Sequence, residues 1–269
     1  FISKIFFIFF GFWFFYYGQN NFKNNLIYIL IFIISFITIL ISGDRTPLFV
    51  FSICILLFIF SINISLKFKF ISILILSALL VIPILLNQAI YDRLIKRTLL
   101  EFGSEIGLVE GARFYEIETE QGKKISFLTQ QQNYFFTSVA MIKKKIFFGH
   151  STRGYKINCK NFSLDKFSCA SHPHNIYLQL FVENGIFGFV FLLSIFFYFT
   201  YVLIKNFINQ FSNGKILNIS EISFIISVYI NLWPIAQTGN FYNNWTSILY
   251  YIPVAFVLQE TNLFKKKIF

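Results

Sequence analysis

Charge is what this chain has least of. Only 13% of its 269 residues are Asp, Glu, Lys or Arg, against about 25% in average globular proteins. Such a shortage excludes an ordinary soluble fold, and with 56% hydrophobic and 21% aromatic residues it also excludes disorder. Proline occurs 5 times, and no Gly/Pro/Ser-rich linker interrupts the chain, so one domain spanning residues 1–269 is expected. Nor is any internal repeat visible. With 3 His, 3 Cys and no D-x-D or zinc-spaced Cys pair, no metal or other cofactor is expected. The first residue is Phe1 rather than Met, so an N-terminal part is expected to be missing. Acidic residues number only 12 against 23 basic ones, a formal charge of +11. That balance alone fits nucleic acid, anionic lipid or a phosphorylated substrate.

What fills the chain is Phe, Ile and Leu, with 40 Phe. A membrane helix needs roughly 20 mostly apolar residues, and seven stretches approach this: 1–17, 26–42, 47–66, 70–86, 176–204, 222–237 and 245–259. Their continuous apolar runs lack the alternation of a membrane barrel. The fold class is therefore all-α, a polytopic membrane helix bundle. If the spans alternate, Lys23, Lys67, Lys69, Lys205, Lys215 and Lys265–Lys267 share one side, which the positive-inside rule makes cytoplasmic. The long segment 87–174 then lies outside as one large periplasmic loop. It holds 8 of the 12 acidic residues and 13 basic ones. Within it, Ile125–Phe148 reads as a helix lying at the membrane surface, and equally as a solvated stretch.

Cys54 sits inside a span and reads as a packing residue. Cys159 and Cys169 lie in the external segment, where an oxidising compartment favours a disulfide between them. Ser171–Gly188, SHPHNIYLQLFVENGIFG, is the most informative run. Pro173 suits a helix start. On a continuous helix Gly185 falls about 20° from His174 and Gly188 about 40° to its other side, a face suited to close helix approach. Asn175, Gln179 and Glu183 form a separate stripe, and a carboxylate at that depth needs a partner or a water-filled cavity. His174 is a candidate acid–base residue, or simply an interfacial one. Ser42–Gly43–Asp44–Arg45–Thr46 is either a plain turn before Pro47 or a place where Arg45 grips phosphate oxygens at the membrane boundary. Arg113 and Arg153, the latter near Gly149 and His150, are further phosphate candidates.

HNIYLQLFVENGIFG resembles the signature of the O-antigen ligase and O-antigen polymerase superfamily, in which His and Asn are followed after nine residues by G-x-x-G. His174, Asn175, Gly185 and Gly188 match its fixed positions. SGDRTPLF is similar to the small-residue–Arg turn of that family, and the resemblance spans about residues 26–258. At GHSTRGYK, His150 departs from the family's G-x-G. The resemblance implies a membrane glycosyltransferase of the bacterial inner membrane, multi-pass, with its active face in the periplasm. Its donor would be a polyprenyl-diphosphate-linked glycan, its acceptor a lipid A–core or other glycan, and its surroundings membrane lipid. His174 would act as base, Arg45 with Arg153 or Arg113 would bind diphosphate, and Glu183 would pack or touch acceptor. A polymerase or a protein O-oligosaccharyltransferase of the same superfamily is the nearest alternative. A polysaccharide exporter or flippase would favour charges at mid-membrane, whereas here they gather at one external surface. Nucleic acid is not an expected partner, for want of a basic helix or platform clear of the membrane.

Overall fold

The computed structural model describes residues 2–17, 22–96, 98–99, 115–118, 124–127, 130–162, 169–212, 214–234 and 238–260. In chain order these form α1 (Ile2–Tyr17), α2 (Phe22–Ser42), α3 (Arg45–Ser61), α4 (Leu66–Leu86) and the short α5 (Gln88–Tyr91), which runs into a π-helical turn over Asp92–Lys96. Strands β1 (Tyr115–Glu118) and β2 (Lys124–Phe127) follow, then α6 (Gln130–Lys144) and α7 (Gly154–Asn158). The long α8 (Ile176–Asn209), α9 (Ile219–Asn231) and α10 (Asn244–Glu260) complete the chain. Helices carry the architecture, and each of the seven apolar stretches overlaps one of them, 222–237 only as far as Asn231. Two of these, α4 and α8, are long and apolar enough to cross a membrane by themselves, with mean hydropathies of 2.6 and 2.3. Lipid would cover most of α4, whose Phe70, Leu74, Ile75, Val81, Leu85 and Leu86 are exposed. By contrast α9 has 13 residues and rises about 20 Å, short of a hydrocarbon core of about 30 Å.

The residues fall into two compact units. The first comprises Phe1–Leu94, Phe196–Trp233 and Ser247–Phe269. Its centre is α9, buried at every residue from Ser220 to Asn231 and packed against α1 and α3. A capping box starts this helix, Asn218 accepting from the Glu221 N–H while Glu221 accepts from the Asn218 N–H. The phenylalanine excess becomes packing here. Phe6 and Phe7 meet Phe51, Phe10 meets Phe58, and Phe12 meets Phe224 and Phe256 edge-on, most of these contacts having the edge-to-face geometry favoured by aromatic quadrupoles. At one end of the unit the carbonyls left over at the end of α3 are satisfied by side chains. Phe60 O accepts from Lys69 Nζ and Gln210 Nε2, both at 2.9 Å, and Ser61 O accepts from Asn206 Nδ2 at 2.8 Å.

The second unit comprises Ile95–Ile195 and Pro234–Thr246. Strands β1 and β2 pair antiparallel, Tyr115 opposite Phe127 and Glu118 opposite Lys124. The hairpin and the true start of α6 change the reading of Ile125–Phe148. A strand occupies its beginning, and the helix runs only from Gln130 to Lys144. One face of α6 is buried through Asn133, Tyr134, Thr137, Ser138 and Met141, while Phe135, Phe136 and Lys143–Lys145 are exposed. Met141, Tyr155, Cys159 and Val182 make a small core, with Cys169 packed against it. Cys159 and Cys169 are disulfide-bonded there, their Cα atoms 5.6 Å apart.

Candidate functional site

Two glycines and a histidine set the geometry of the second unit. His174 lies before α8, not on it, in a left-handed conformation with φ 56°. Asn175 is a better helix start than Pro173, because its side-chain oxygen accepts from the N–H groups of Tyr177 and Leu178 at 2.9 and 3.1 Å. The His174 carbonyl accepts from the Thr238 N–H at 2.8 Å. Its ring stacks on Tyr134, centroids 5.1 Å apart, and lies 4.3 Å from the ring of His172. His172 Nδ1 is 2.9 Å from Ser171 Oγ. Burial lowers the pKa of His174 below the ordinary imidazole value. His172 is lowered by burial first and by its neighbour His174 second, with the Thr238 backbone opposing. Both rings are thereby biased to the neutral form, which can accept a proton.

The helical-wheel relation between His174 and the glycines does not hold, because α8 is broken at Gly185, with φ 70° and ψ −160°. Loop 146–150 crosses the break. Ile186 N–H donates to Ile146 O at 2.8 Å, and His150 N–H donates to Val182 O at 2.7 Å. A Cβ at Gly185 would overlap the Phe147 carbonyl, and one at Gly149 (φ 67°) would sit 2.6 Å from the Glu183 carbonyl. Gly188 abuts the helix just before the break, where an added Cβ would lie 3.0 Å from Leu180 O. The G-x-x-G of the motif thus serves a backbone crossing. His150, the departure from the family pattern, is a buried anchor with Nε2 2.9 Å from Met141 O.

Glu183, 2% exposed, sits two residues before the break. Its carboxylate is directed at the backbone N–H groups of Arg153 and Tyr155 and at the Gln179 amide, while Oε2 is buried without a hydrogen bond of full geometry. Arg153 itself has left-handed backbone (φ 62°), as does Ser151 (φ 69°). With His174 these are the three non-glycine residues of positive φ among those described, each costing roughly 1 kcal/mol or more, and such outliers concentrate at functional sites.

The polar stripe of α8 is a clamp. Asn175 Nδ2 donates to Pro234 O at 2.7 Å, Gln179 Nε2 to Asn240 Oδ1 at 2.8 Å, and the Phe241 N–H to Gln179 Oε1 at 2.9 Å. Beside it, Tyr242 donates through its hydroxyl to Asn184 Oδ1 at 2.6 Å. Between this turn and loop 146–155 lies a cavity of about 470 Å³. Arg153 and Lys156 line one part of it, Gln179 and Glu183 another, and Asn240 and Tyr242–Asn244 a third. Ser171, the partner of His172, is also at its wall, whereas His174 is not among its lining residues.

Arg45 belongs to the first unit and opens α3, with the exposed Asp44 as N-cap and Pro47 inside the first turn, where a missing N–H costs little. Gly43 has φ 69°, and a Cβ there would meet Arg93 Cδ at 2.8 Å, so a second arginine lies against this turn. Arg113 is outside the described residues. Sequence reasoning missed Arg93, Lys156 and the Asn240–Asn244 group. Only the last carried a local signal, the density of Asn in GNFYNN.

An apolar multi-helix chain with two helices long enough to cross a bilayer is a membrane protein, and its second unit holds a histidine pair and a cationic, amide-lined cavity. The chain belongs to the O-antigen ligase family, whose profile matches residues 30–193. Members of that family are membrane glycosyltransferase-like enzymes that handle glycan and lipid-linked substrates. No curated protein and no solved structure matches the chain.

Proposed function

We propose that the protein transfers a polyprenyl-diphosphate-linked glycan onto a lipid A–core sugar at the periplasmic face of the bacterial inner membrane. The acceptor hydroxyl attacks the anomeric carbon of the first donor sugar. The bond from that carbon to the diphosphate oxygen breaks, and the hydroxyl proton passes to His174. Arg45, Arg153 and Arg113 carry the negative charge of the departing lipid diphosphate, for which guanidinium forks are well matched. Activation by nucleotide or metal has no part in this scheme, since the diphosphate bond supplies the leaving group.

The observation that supports this reading best is the presence, in one unit, of His174 in left-handed backbone, its pKa lowered by burial, and of the Arg153–Lys156 cavity. Replacing the histidine tests it. In a strain lacking the native copy, His174→Ala is expected to insert normally, attach no glycan and let lipid-linked donor accumulate. Normal attachment by that variant would overturn the role of His174. The same strain separates the alternatives within the family. Capped core without O-antigen marks a ligase, and a single repeat unit on the core marks a polymerase.

A further inference from the structure

We propose that Lys143–Phe148, KKKIFF, is an interfacial anchor, its apolar tip inserted among lipid tails and its lysines bound to anionic phospholipid headgroups. All six residues are exposed, Phe147 to 66% and Phe148 to 82%. A slack loop does not account for this. Gly149 N–H donates to Lys145 O at 3.2 Å, and Ile186 N–H donates to Ile146 O at 2.8 Å. The Phe147 carbonyl occupies the space that a side chain would need at Gly185. The backbone of the tip is thus pinned against α8, while its three large apolar side chains stay outside the packed core. Exposed apolar patches rimmed by polar groups mark interaction surfaces.

Two observations identify lipid as what covers this one. First, the tip continues the apolar surface of a helix long and apolar enough to cross a membrane. Phe148 lies against Phe187, ring centroids 6.1 Å apart, and α8 goes on to expose Val190 and Phe191. Second, charge selects the headgroup. No Asp or Glu occurs between Glu120 and Asp165, whereas Lys and Arg occur there eight times. Three of those cations, Lys143–Lys145, immediately precede the tip, so their stems can lie along apolar surface with the ammonium groups at headgroup depth. Apolar insertion and attraction to anionic lipid reinforce one another in such a segment. On α6, Phe136 falls about 20° from Lys143 and is exposed as well, which extends the same face. A second copy docked here by two-fold symmetry would set lysine run against lysine run, a repulsion that an anionic bilayer replaces with attraction.

The test places one bimane fluorophore at Phe148→Cys in the full chain, reconstituted in nanodiscs. Cys54 is buried and Cys159 is bonded to Cys169, so the label meets one exposed thiol. Lipid with brominated chains is expected to quench the fluorophore more strongly than aqueous iodide does. Stronger quenching by iodide overturns insertion. Quenching by neither means that protein, such as a second copy, covers the tip, and this overturns it too. At equal mole fraction, brominated phosphatidylglycerol is expected to be preferred about tenfold over brominated phosphatidylcholine at this reporter. Replacing the lysines together, Lys143→Gln, Lys144→Gln and Lys145→Gln, is expected to bring that preference close to unity. Equal quenching by the two lipids with the lysines intact, or a tenfold preference that survives their replacement, overturns the headgroup site. All four positions are exposed, so their replacement leaves the packed core intact, and a monodisperse size-exclusion profile checks this. No glycan transfer enters these measurements, so the transferase proposal and the anchor fail separately.

Discussion

The chemistry at His174 begins with a burial effect. Its pKa is lowered because the charged imidazolium loses hydration in the pocket formed with Tyr134 and His172. The neutral base therefore persists to a lower pH than a free imidazole would allow. The acid limb of the transfer rate is expected to have its midpoint below about 6.5, and a pH–rate profile of the reconstituted protein checks this. Linkage gives the matching stability effect. The unfolded chain binds protons at His174 and His172 more readily than the folded one, so stability falls as pH drops from the ordinary imidazole value toward the folded values. Glu183 acts at the same scale through backbone contacts. Glu183→Ala removes the acceptor facing the N–H groups of Arg153 and Tyr155 and is expected to cost about 1.5–3 kcal/mol, read as a lowered Tm of the solubilised protein. Glu183→Gln keeps an acceptor oxygen and is expected to lose less than half as much.

Among the elements, the break in α8 governs the site, and it is the feature the sequence disclosed least. Gly185 reads as a packing residue in an apolar run, because nothing local marks it as non-helical. The cause is tertiary: the backbone of Phe147–Gly149 passes where a side chain would be. Gly185→Ala is expected to destabilise severely, through both overlap with the Phe147 carbonyl and a left-handed φ. Gly149→Ala is expected to follow for the same reasons, whereas Gly188→Ala should be milder, its tightest neighbour being the Asn184 side chain. Yields of folded protein by size-exclusion chromatography rank the three. The long apolar helices, by contrast, were legible, since spans of Phe, Ile and Leu answer to a simple length rule. Pro173 is a good helix opener, yet α8 begins three residues later at Ile176, where the apolar stretch begins, because the Asn175 side chain caps it. His174 and Arg153 were nameable as candidates from residue type and motif, whereas their left-handed backbone was not. Lys156 and the Asn240–Asn244 turn were not, because the cavity is assembled by the Gln179 and Asn184 clamps from segments about 60 residues apart.

For the whole molecule, the proposed topology divides the basic residues between two sides, and the first unit bears on that proposal. Asn206 and Gln210, near the end of α8, bond to Ser61 and Phe60 at the end of α3, while Lys69 at the start of α4 bonds to Phe60 as well. Lys67, Lys69 and Lys205 are therefore gathered at one end of that unit. Lys69 is only 3% exposed, so it supports the turn in addition to any orienting charge it carries. Such a cluster at a shared end is what the positive-inside rule requires of a cytoplasmic face. A disulfide such as Cys159–Cys169 persists in an oxidising compartment, which is where the proposed topology would put the long segment. Reporter fusions decide the matter. Alkaline phosphatase joined after Asn161 is expected to be active, and joined after Ser212 inactive, since the enzyme needs periplasmic oxidation. The reverse pattern would place the cavity in the cytoplasm, away from any periplasmic glycan acceptor, and the transfer reaction proposed here would fail with it.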